Sequence, residues 1–211
     1  MSKNNNSKQK QSIREVVKMK NILICMIFVA VAFCATNALA ATSQTVNVNA
    51  TIPTITGGLS VTVSKVTGTV WTPATSISFG TLVWDTVNHI FLPASYFAVD
   101  IGVTDNSGTA WTVTHTRASL AGQGTNLNNK VNVSFNKQTS DTVGTELQKV
   151  SFGNSQSIAY TKAQLSGGWL RIYYGVGTGD PAKPDAPGVT PIGLDTPAGT
   201  YNGTVTITLT P

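Results

Sequence analysis

The chain has 211 residues, of which 41% are hydrophobic and 11% are charged, and it carries a formal charge of +5 at pH 7. Six of the 14 Lys and Arg residues but only one of the nine Asp and Glu residues lie in residues 1–40, so the rest of the chain has no net charge. A basic surface for nucleic acid or anionic membrane is therefore not supported. Both cysteines also lie in residues 1–40, so the exported domain is expected to be disulfide-free and to depend on its hydrophobic core.

Residues 1–40 have the pattern of a secretory signal peptide. Several Lys and Arg residues precede the apolar run "ILICMIFVAVAFCA", and Ala38 and Ala40 form an Ala-x-Ala end. A membrane anchor is the alternative, but the run is shorter than the ~20 apolar residues that a bilayer-spanning helix needs. We therefore expect export through the periplasm, so that the protein is secreted or held at the cell surface.

The first predicted strand follows directly, in "TVNVNATIP" (45–53). Its apolar residues alternate with Thr and Asn, which is typical of a half-buried β-strand because successive side chains point to opposite faces. The apolar face consists of Val46, Val48, Ala50 and Ile52. Residues 41–57 are thus predicted to be an N-terminal extension before a domain at 58–211. Two interpretations stay open: the strand belongs to its own domain, or it is an arm offered to a neighbouring copy.

The rest of the chain predicts an all-β fold, because short alternating segments are separated by Gly, Asn and Asp turns and no convincing helical period occurs. Several such strands with regular turn signals favour a sandwich or a barrel. The predicted strands are "LSVTVSKV", "TSISF", "YFAVDIGVTD", "AWTVTHT", "KVNVSF", "LQKVSF", "SIAY", "WLRIYYGV" and "TVTITLT". The predicted core faces are Phe97, Val99, Ile101 and Val103 in one strand and Leu170, Ile172, Tyr174 and Val176 in another. Residues 175–200 are rich in Gly and Pro and predict a long surface loop.

Motifs of enzyme chemistry are not found. The familiar hydrolase and zinc motifs do not occur in residues 41–211, and the eight acidic residues follow no catalytic pattern. Of the two histidines, His115 lies within a predicted strand, where a structural role is the more frequent one. Asp180 and Asp185 offer oxygen ligands for calcium, but Asx-stabilised turns explain them better. We expect no enzyme activity, no cofactor and no metal.

Four tryptophans lie beyond residue 40, at positions 71, 84, 111 and 169. Aromatic side chains exposed on one face of a sheet would form a platform for stacking sugar rings, whereas buried ones would fill the core. The first possibility defines the alternative function, a monomeric secreted carbohydrate-binding β-sandwich, with Trp84 or Trp111 reporting the ligand.

The last segment, "DTPAGTYNGTVTITLTP", places a Gly-x-Tyr before an alternating strand. In immunoglobulin-like sandwiches a tyrosine corner of this kind marks the start of strand F, and strand G follows it. Here no further strand is predicted after "TVTITLT". The expectation is an immunoglobulin-like β-sandwich that lacks one strand and is completed by a donated strand, because an open apolar edge promotes aggregation.

Two of these segments, "ISFGTL" (77–82) and "PAGTYNGTVTITLTP" (197–211), resemble the pilin-like secreted subunits of chaperone–usher systems, including the spore-coat-protein-U-type group. The resemblance implies handling by a periplasmic chaperone and an outer-membrane usher, and assembly with itself or with sister subunits by donor-strand exchange. It implies a structural subunit of a cell-surface fibre or coat. The donor-strand face would be Val46, Val48, Ala50 and Ile52, and the acceptor-groove strand would contribute Tyr201, Val205, Ile207 and Leu209.

Overall fold

The computed structural model describes residues 59–103, 110–153 and 157–210, together with the main chain of residues 43–51. The regular structure in these ranges is β-strand throughout, and residues 42–211 form one compact unit. The predicted signal peptide and Ile52 lie outside the described residues. In the ranges that are described, no helix is long and apolar enough to cross a bilayer.

Fifteen strands are described, and ten of them correspond to the ten predicted strands. The first eight are β1 (Ser43–Thr51), β2 (Leu59–Thr67), β3 (Val70–Ala74), β4 (Ile77–Asp85), β5 (Ile90–Leu92), β6 (Tyr96–Val103), β7 (Thr112–Arg117) and β8 (Ala121–Gly122). The others are β9 (Thr125–Asn126), β10 (Val131–Gln138), β11 (Gly144–Ser151), β12 (Ser157–Thr161), β13 (Trp169–Val176), β14 (Thr200–Tyr201) and β15 (Thr204–Thr210).

The strands form two large sheets, which confirms the predicted all-β sandwich. Sheet I has the order β12-β7-β15-β1-β4-β5, and β14 also pairs with β1. Sheet II has the order β11-β10-β13-β6-β2-β3, while β8 and β9 form a small separate ribbon. One hydrophobic core contains side chains from both large sheets. In β13 and β15, for example, every second side chain lies in or against that core, because inward and outward residues alternate along a strand.

The predicted core faces of β6 and β13 are confirmed. Seven of the eight predicted residues are buried, and the eighth, Val103, is half-buried against the core. On the opposite face of β13, however, Arg171 is only 3% exposed. Burial on that outer face means that sheet II is covered there by other side chains, which the alternation pattern alone does not predict.

A β-bulge explains the Phe-Gly pair in "ISFGTL". The register between β1 and β4 shifts between Val46 and Asn47, and Gly80 adopts a positive φ of 65°. The register passes from Ser78 to Gly80 and skips Phe79. The buried positions change from Ile77 and Phe79 to Leu82. The extra residue therefore shifts the inward-facing alternation by one position. Glycine adopts this conformation without the steric cost that a Cβ would add.

Five short strands were not predicted, and β3 shows why. It contains Pro73, which cannot donate a ladder hydrogen bond, and it forms an edge of sheet II, where proline is tolerated. The predicted loop at 175–200 is confirmed over residues 177–199. It is anchored rather than detached, because Ile192 is fully buried and bridges to Phe91 of β5.

Candidate functional site: the groove around the first strand

The first strand of the domain lies in the middle of sheet I. β1 has β14 and β15 on one side and β4 on the other. We call the space that β1 fills, with these strands as its two walls, the β1 groove. The register places position 46 beside Tyr201 and position 50 beside Val205 on the first side. On the second side, position 48 lies beside Ile77. The two walls of the groove are therefore the two segments that carry the sequence resemblance.

The strand directions around the groove differ from those elsewhere in the described sheets. β1 runs parallel to β14 and β15 and antiparallel to β4, whereas the other described strand pairs are all antiparallel. β4 and β15 consequently run in opposite directions. Any strand lying between them must be parallel to one wall and antiparallel to the other, so the groove accepts a strand without dictating its direction.

The residues predicted for the acceptor-groove strand lie in or against the core. Tyr201, Val205 and Ile207 are buried, and Leu209 is half-buried against the same core. The Tyr201 hydroxyl donates a hydrogen bond to the carbonyl oxygen of Pro197 at 2.7 Å, four residues upstream. This is the bond that defines a tyrosine corner, and it holds β14 beside β1.

The donor-strand prediction can be located on the main chain. Val46, Val48 and Ala50 lie in β1, which pairs with the groove walls of its own chain, while Ile52 is outside the described residues. The strand-donation interpretation places β1 beside the last strand, whereas the other interpretation assigns it only to its own domain. They differ in whether the strand stays there or exchanges with the same strand of another copy.

Two polar side chains of β7, the neighbour of β15 in sheet I, are fully buried. His115 Nε2 and the Tyr174 hydroxyl are hydrogen-bonded at 2.5 Å, and Arg117 donates to the Ser151 carbonyl oxygen at 2.7 Å. Burial, followed by the nearby Arg117 charge, lowers the pKa of His115 to about 3. His115 is therefore neutral at physiological pH. It links β7 of sheet I to β13 of sheet II, which agrees with the predicted structural role.

The outer face of sheet II carries a second charged cluster. Arg171 donates from Nε and Nη2 to the two carboxylate oxygens of Asp100, at 2.6 and 2.8 Å. Its guanidinium also stacks on Trp71, 4.7 Å from the ring centroid, and lies 5.9 Å from that of Trp169. The hydrogen bonds to Asp100 raise the pKa of Arg171 above its ordinary value. The cluster explains how an arginine is buried outside the core.

The candidate calcium ligands belong to turns instead. The Asp185 carboxylate accepts hydrogen bonds from the Thr178 and Gly179 amides and from Asn132 Nδ2. Asp180 accepts from the Ala182 amide, which is an Asx turn. Within the part of the chain that the structure describes, no group of three His, Cys, Asp or Glu side chains is placed to hold a metal ion.

The four tryptophans do not form one platform. Trp84 packs on Phe91 with ring centroids 4.8 Å apart, and both Trp84 and Trp111 are half-buried against the core. Trp84 lies in β4, whereas Trp111 precedes β7, and β15 and β1 separate these two strands. Trp71 and Trp169 instead flank Arg171 on the outer face of sheet II.

The sequence predicted the last strand as a wall of the groove. It did not predict β4 as the other wall, and it did not predict the Arg171 cluster. The resemblance in "ISFGTL" was a signal for β4. For the cluster, the only signals were an acid and an arginine in the middle of two apolar strands. Comparison with known proteins identifies no relative: no family model, no curated protein and no solved structure matches the chain.

Proposed function

We propose that the protein is an exported structural subunit of a cell-surface fibre or coat, which assembles with itself or with sister subunits by donating β1. The supporting observation is the β1 groove, in which the first strand of the domain fills a gap between two walls that run in opposite directions. Strand donation of this kind uses main-chain hydrogen bonds for affinity and alternate side chains for specificity. In this proposal the sandwich is immunoglobulin-like, and a periplasmic chaperone and an outer-membrane usher handle the subunit.

The groove is costly to leave unfilled. Removing β1 would leave β4 and β15 with unpaired main-chain groups, and such edges promote association with other strands. It would also uncover Ile77, Val205 and Ile207, which are fully buried. Each of these side chains contributes roughly 1.5–3 kcal/mol when buried. Some strand must therefore occupy the groove at all times, and β1 of a second copy offers the same residues as the chain's own β1.

Exchange is a competition between two equivalent occupants. Residues 52–58 connect β1 directly to β2, so the chain's own strand has the advantage of a high effective concentration. A donated strand gains when a chaperone occupies the groove and keeps the chain's own β1 out of it, or when subunits are concentrated at an assembly site. Polymer formation should accordingly rise with subunit concentration.

The test is the molar mass of the exported chain and of two variants, measured by light scattering. Alternate positions of a strand face opposite sides, and the sequence pattern assigns position 48 to the core side. Val48→Asp should block polymer formation, whereas the matched variant Asn47→Asp should polymerise like the unaltered chain. Unchanged polymers in the Val48→Asp protein would refute a donor role for β1.

A second arm compares residues 41–211 with a version that begins at Leu59. The shorter protein should stay small and unstable, and adding a synthetic peptide of residues 43–53 should restore its stability. If both versions are monomers and only the shorter one is destabilised, β1 is an ordinary first strand and strand donation is wrong.

A further inference from the structure

A large cleft among the described residues lies outside the β1 groove. It is an open cleft of about 830 Å³, within the ~300–1,000 Å³ range of small-molecule sites. Three parts of the chain line it: the outer face of sheet II, residues 178–185 of the long loop, and residues 88–92 around β5. The side chains that matter below are Tyr96, Tyr173, Ser134, Asn136, Glu146 and Lys149.

One part of the cleft is aromatic. Tyr96 and Tyr173 lie with ring centroids 6.0 Å apart and planes inclined by 56°. Tyr96 is 38% exposed, so part of its ring is accessible to a ligand. Gly175 follows in β13, and a Cβ built there would meet no atom within 4 Å. Glycine inside a strand weakens the sheet and often marks the close approach of a ligand; here its missing side chain keeps the cleft open.

The other part of the cleft is a connected row of polar groups. Asn136 Nδ2 donates to Ser134 Oγ at 2.9 Å, and Ser134 Oγ donates to Glu146 Oε2 at 2.9 Å. Lys149 Nζ lies 3.3 Å from the same carboxylate oxygen. Hydrogen bonds hold these side chains in place on two strands, β10 and β11, so the row is fixed before any ligand arrives. The Glu146 side chain is 48% exposed and can accept further hydrogen bonds.

The charges of the lining are mixed. Two lysines and three acidic residues line it, and all three acids already have partners. Glu146 pairs with Lys149, Asp185 accepts from loop amides, and Asp180 accepts from the Ala182 amide. A polyanion would need a row of cations, and an apolar ligand would leave the polar row without partners. A neutral ligand with many hydroxyl groups and at least one apolar face fits both halves of the cleft.

We propose that this cleft binds a neutral oligosaccharide. The apolar C–H face of a sugar ring would pack on Tyr96 beside the open position at Gly175. Its hydroxyl groups, which donate and accept, would pair with the carboxylate and amide groups of Glu146 and Asn136. The proposal goes beyond strand donation and does not depend on it, because the cleft lies on the outer face of sheet II, whereas β1 lies in sheet I.

The experiment titrates the exported full chain with cellohexaose, mannohexaose and maltohexaose by isothermal calorimetry, with hexagalacturonate as the charged comparison. Gly175→Val places a branched side chain in the open space and should abolish binding. Tyr96→Ala should weaken it about tenfold, equivalent to about 1.4 kcal/mol. Thr62→Val, on the same outer face but not in the lining, is the control and should bind normally.

The proposal is supported if one neutral hexasaccharide binds saturably, if both cleft variants bind it more weakly, and if the control variant binds it normally. Thermal unfolding midpoints check folding, and the Tyr96→Ala protein decides the matter if Gly175→Val does not fold. The proposal is overturned by no binding to any neutral probe, by binding to hexagalacturonate only, or by binding that both cleft variants retain. Repeating the titration on the Val48→Asp protein measures oligosaccharide binding when β1 donation is blocked, so the two proposals can fail separately.

Discussion

The two large sheets differ in what holds their middle strands. In sheet II, β10, β13, β6 and β2 form an unbroken antiparallel series with registers that run over most of each strand. In sheet I, the central strand β1 is parallel to one wall and antiparallel to the other, and its register with β15 covers Asn49–Thr51 within the described residues. The middle of sheet II is therefore held by long antiparallel registers, whereas the middle of sheet I depends on one strand with mixed parallel and antiparallel pairing.

This difference is consistent with the two tasks proposed for the domain. Parallel pairing is slightly less stable per residue than antiparallel pairing, and short registers open more readily than long ones. The sheet suited to exchanging a strand is thus sheet I. Sheet II, stiffened outside the core by the Arg171 cluster, is suited to presenting a fixed cleft. The three predictions that follow perturb sheet II, the contact between the sheets and the edge of the groove, in order of decreasing effect.

Asp100→Asn should give the largest loss of stability. It removes the negative charge that accepts two hydrogen bonds from Arg171, which is 3% exposed, and leaves that cation without its main partner. Breaking a buried ion pair costs roughly 3–5 kcal/mol, and the 27% exposure of Asp100 favours the lower end. Urea unfolding of the monomer should show a loss of about 3 kcal/mol.

Asp141→Asn is the matched control for that experiment. Its carboxylate lies 3.8 Å from Arg171 but is 92% exposed, and exposed pairs contribute little. No measurable change in the free energy of unfolding is expected. Equal effects of the two substitutions would show that the cluster does not stabilise sheet II.

His115 makes the contact between the sheets sensitive to acid. Its pKa of about 3 in the folded protein lies below the ordinary value of 6.5, so between these values the unfolded chain binds a proton that the folded protein does not. The free energy of unfolding should therefore fall as pH is lowered through this window, by about 1.4 kcal/mol per pH unit. Between pH 6.5 and pH 4.5 the loss should be roughly 2–3 kcal/mol.

Chemical denaturation at several pH values measures this slope. His115→Gln should flatten it, while His89→Gln should retain it because His89 lies in the exposed turn between β4 and β5. Parallel pH profiles for the unaltered protein and the His115→Gln protein would contradict the assignment.

Tyr201→Phe should have the smallest effect on stability but a local effect at the groove. It removes the hydrogen bond to Pro197, which contributes about 1 kcal/mol, and loosens β14 against β1. Amide hydrogen exchange should accelerate in β1 and β14 and stay unchanged in β10 and β13. Uniform acceleration across both sheets would mean that the tyrosine corner stabilises the whole domain rather than the groove.

Much of the fold could be predicted because the apolar residues that alternate along each strand are the ones that the folded protein buries. The alternation in "WLRIYYGV" identifies the buried face of β13 directly, since each inward residue is apolar. β3 could not be predicted, because a proline on an edge strand has the same local pattern as a turn. The cleft could not be predicted either: Tyr96 and Glu146 lie 50 residues apart, and only the sheet order brings their strands to one face.

The sequence by itself determined the strands, their faces and the neutral composition of the domain, because these follow from side-chain alternation and from counting charges. Only the tertiary structure decided which strands are neighbours. Placing β1 between β4 and β15, or Arg171 against Asp100 and Trp71, requires contacts between residues far apart in the chain. Those contacts are selected by burial and hydrogen bonding of the whole sandwich, and no local pattern encodes them.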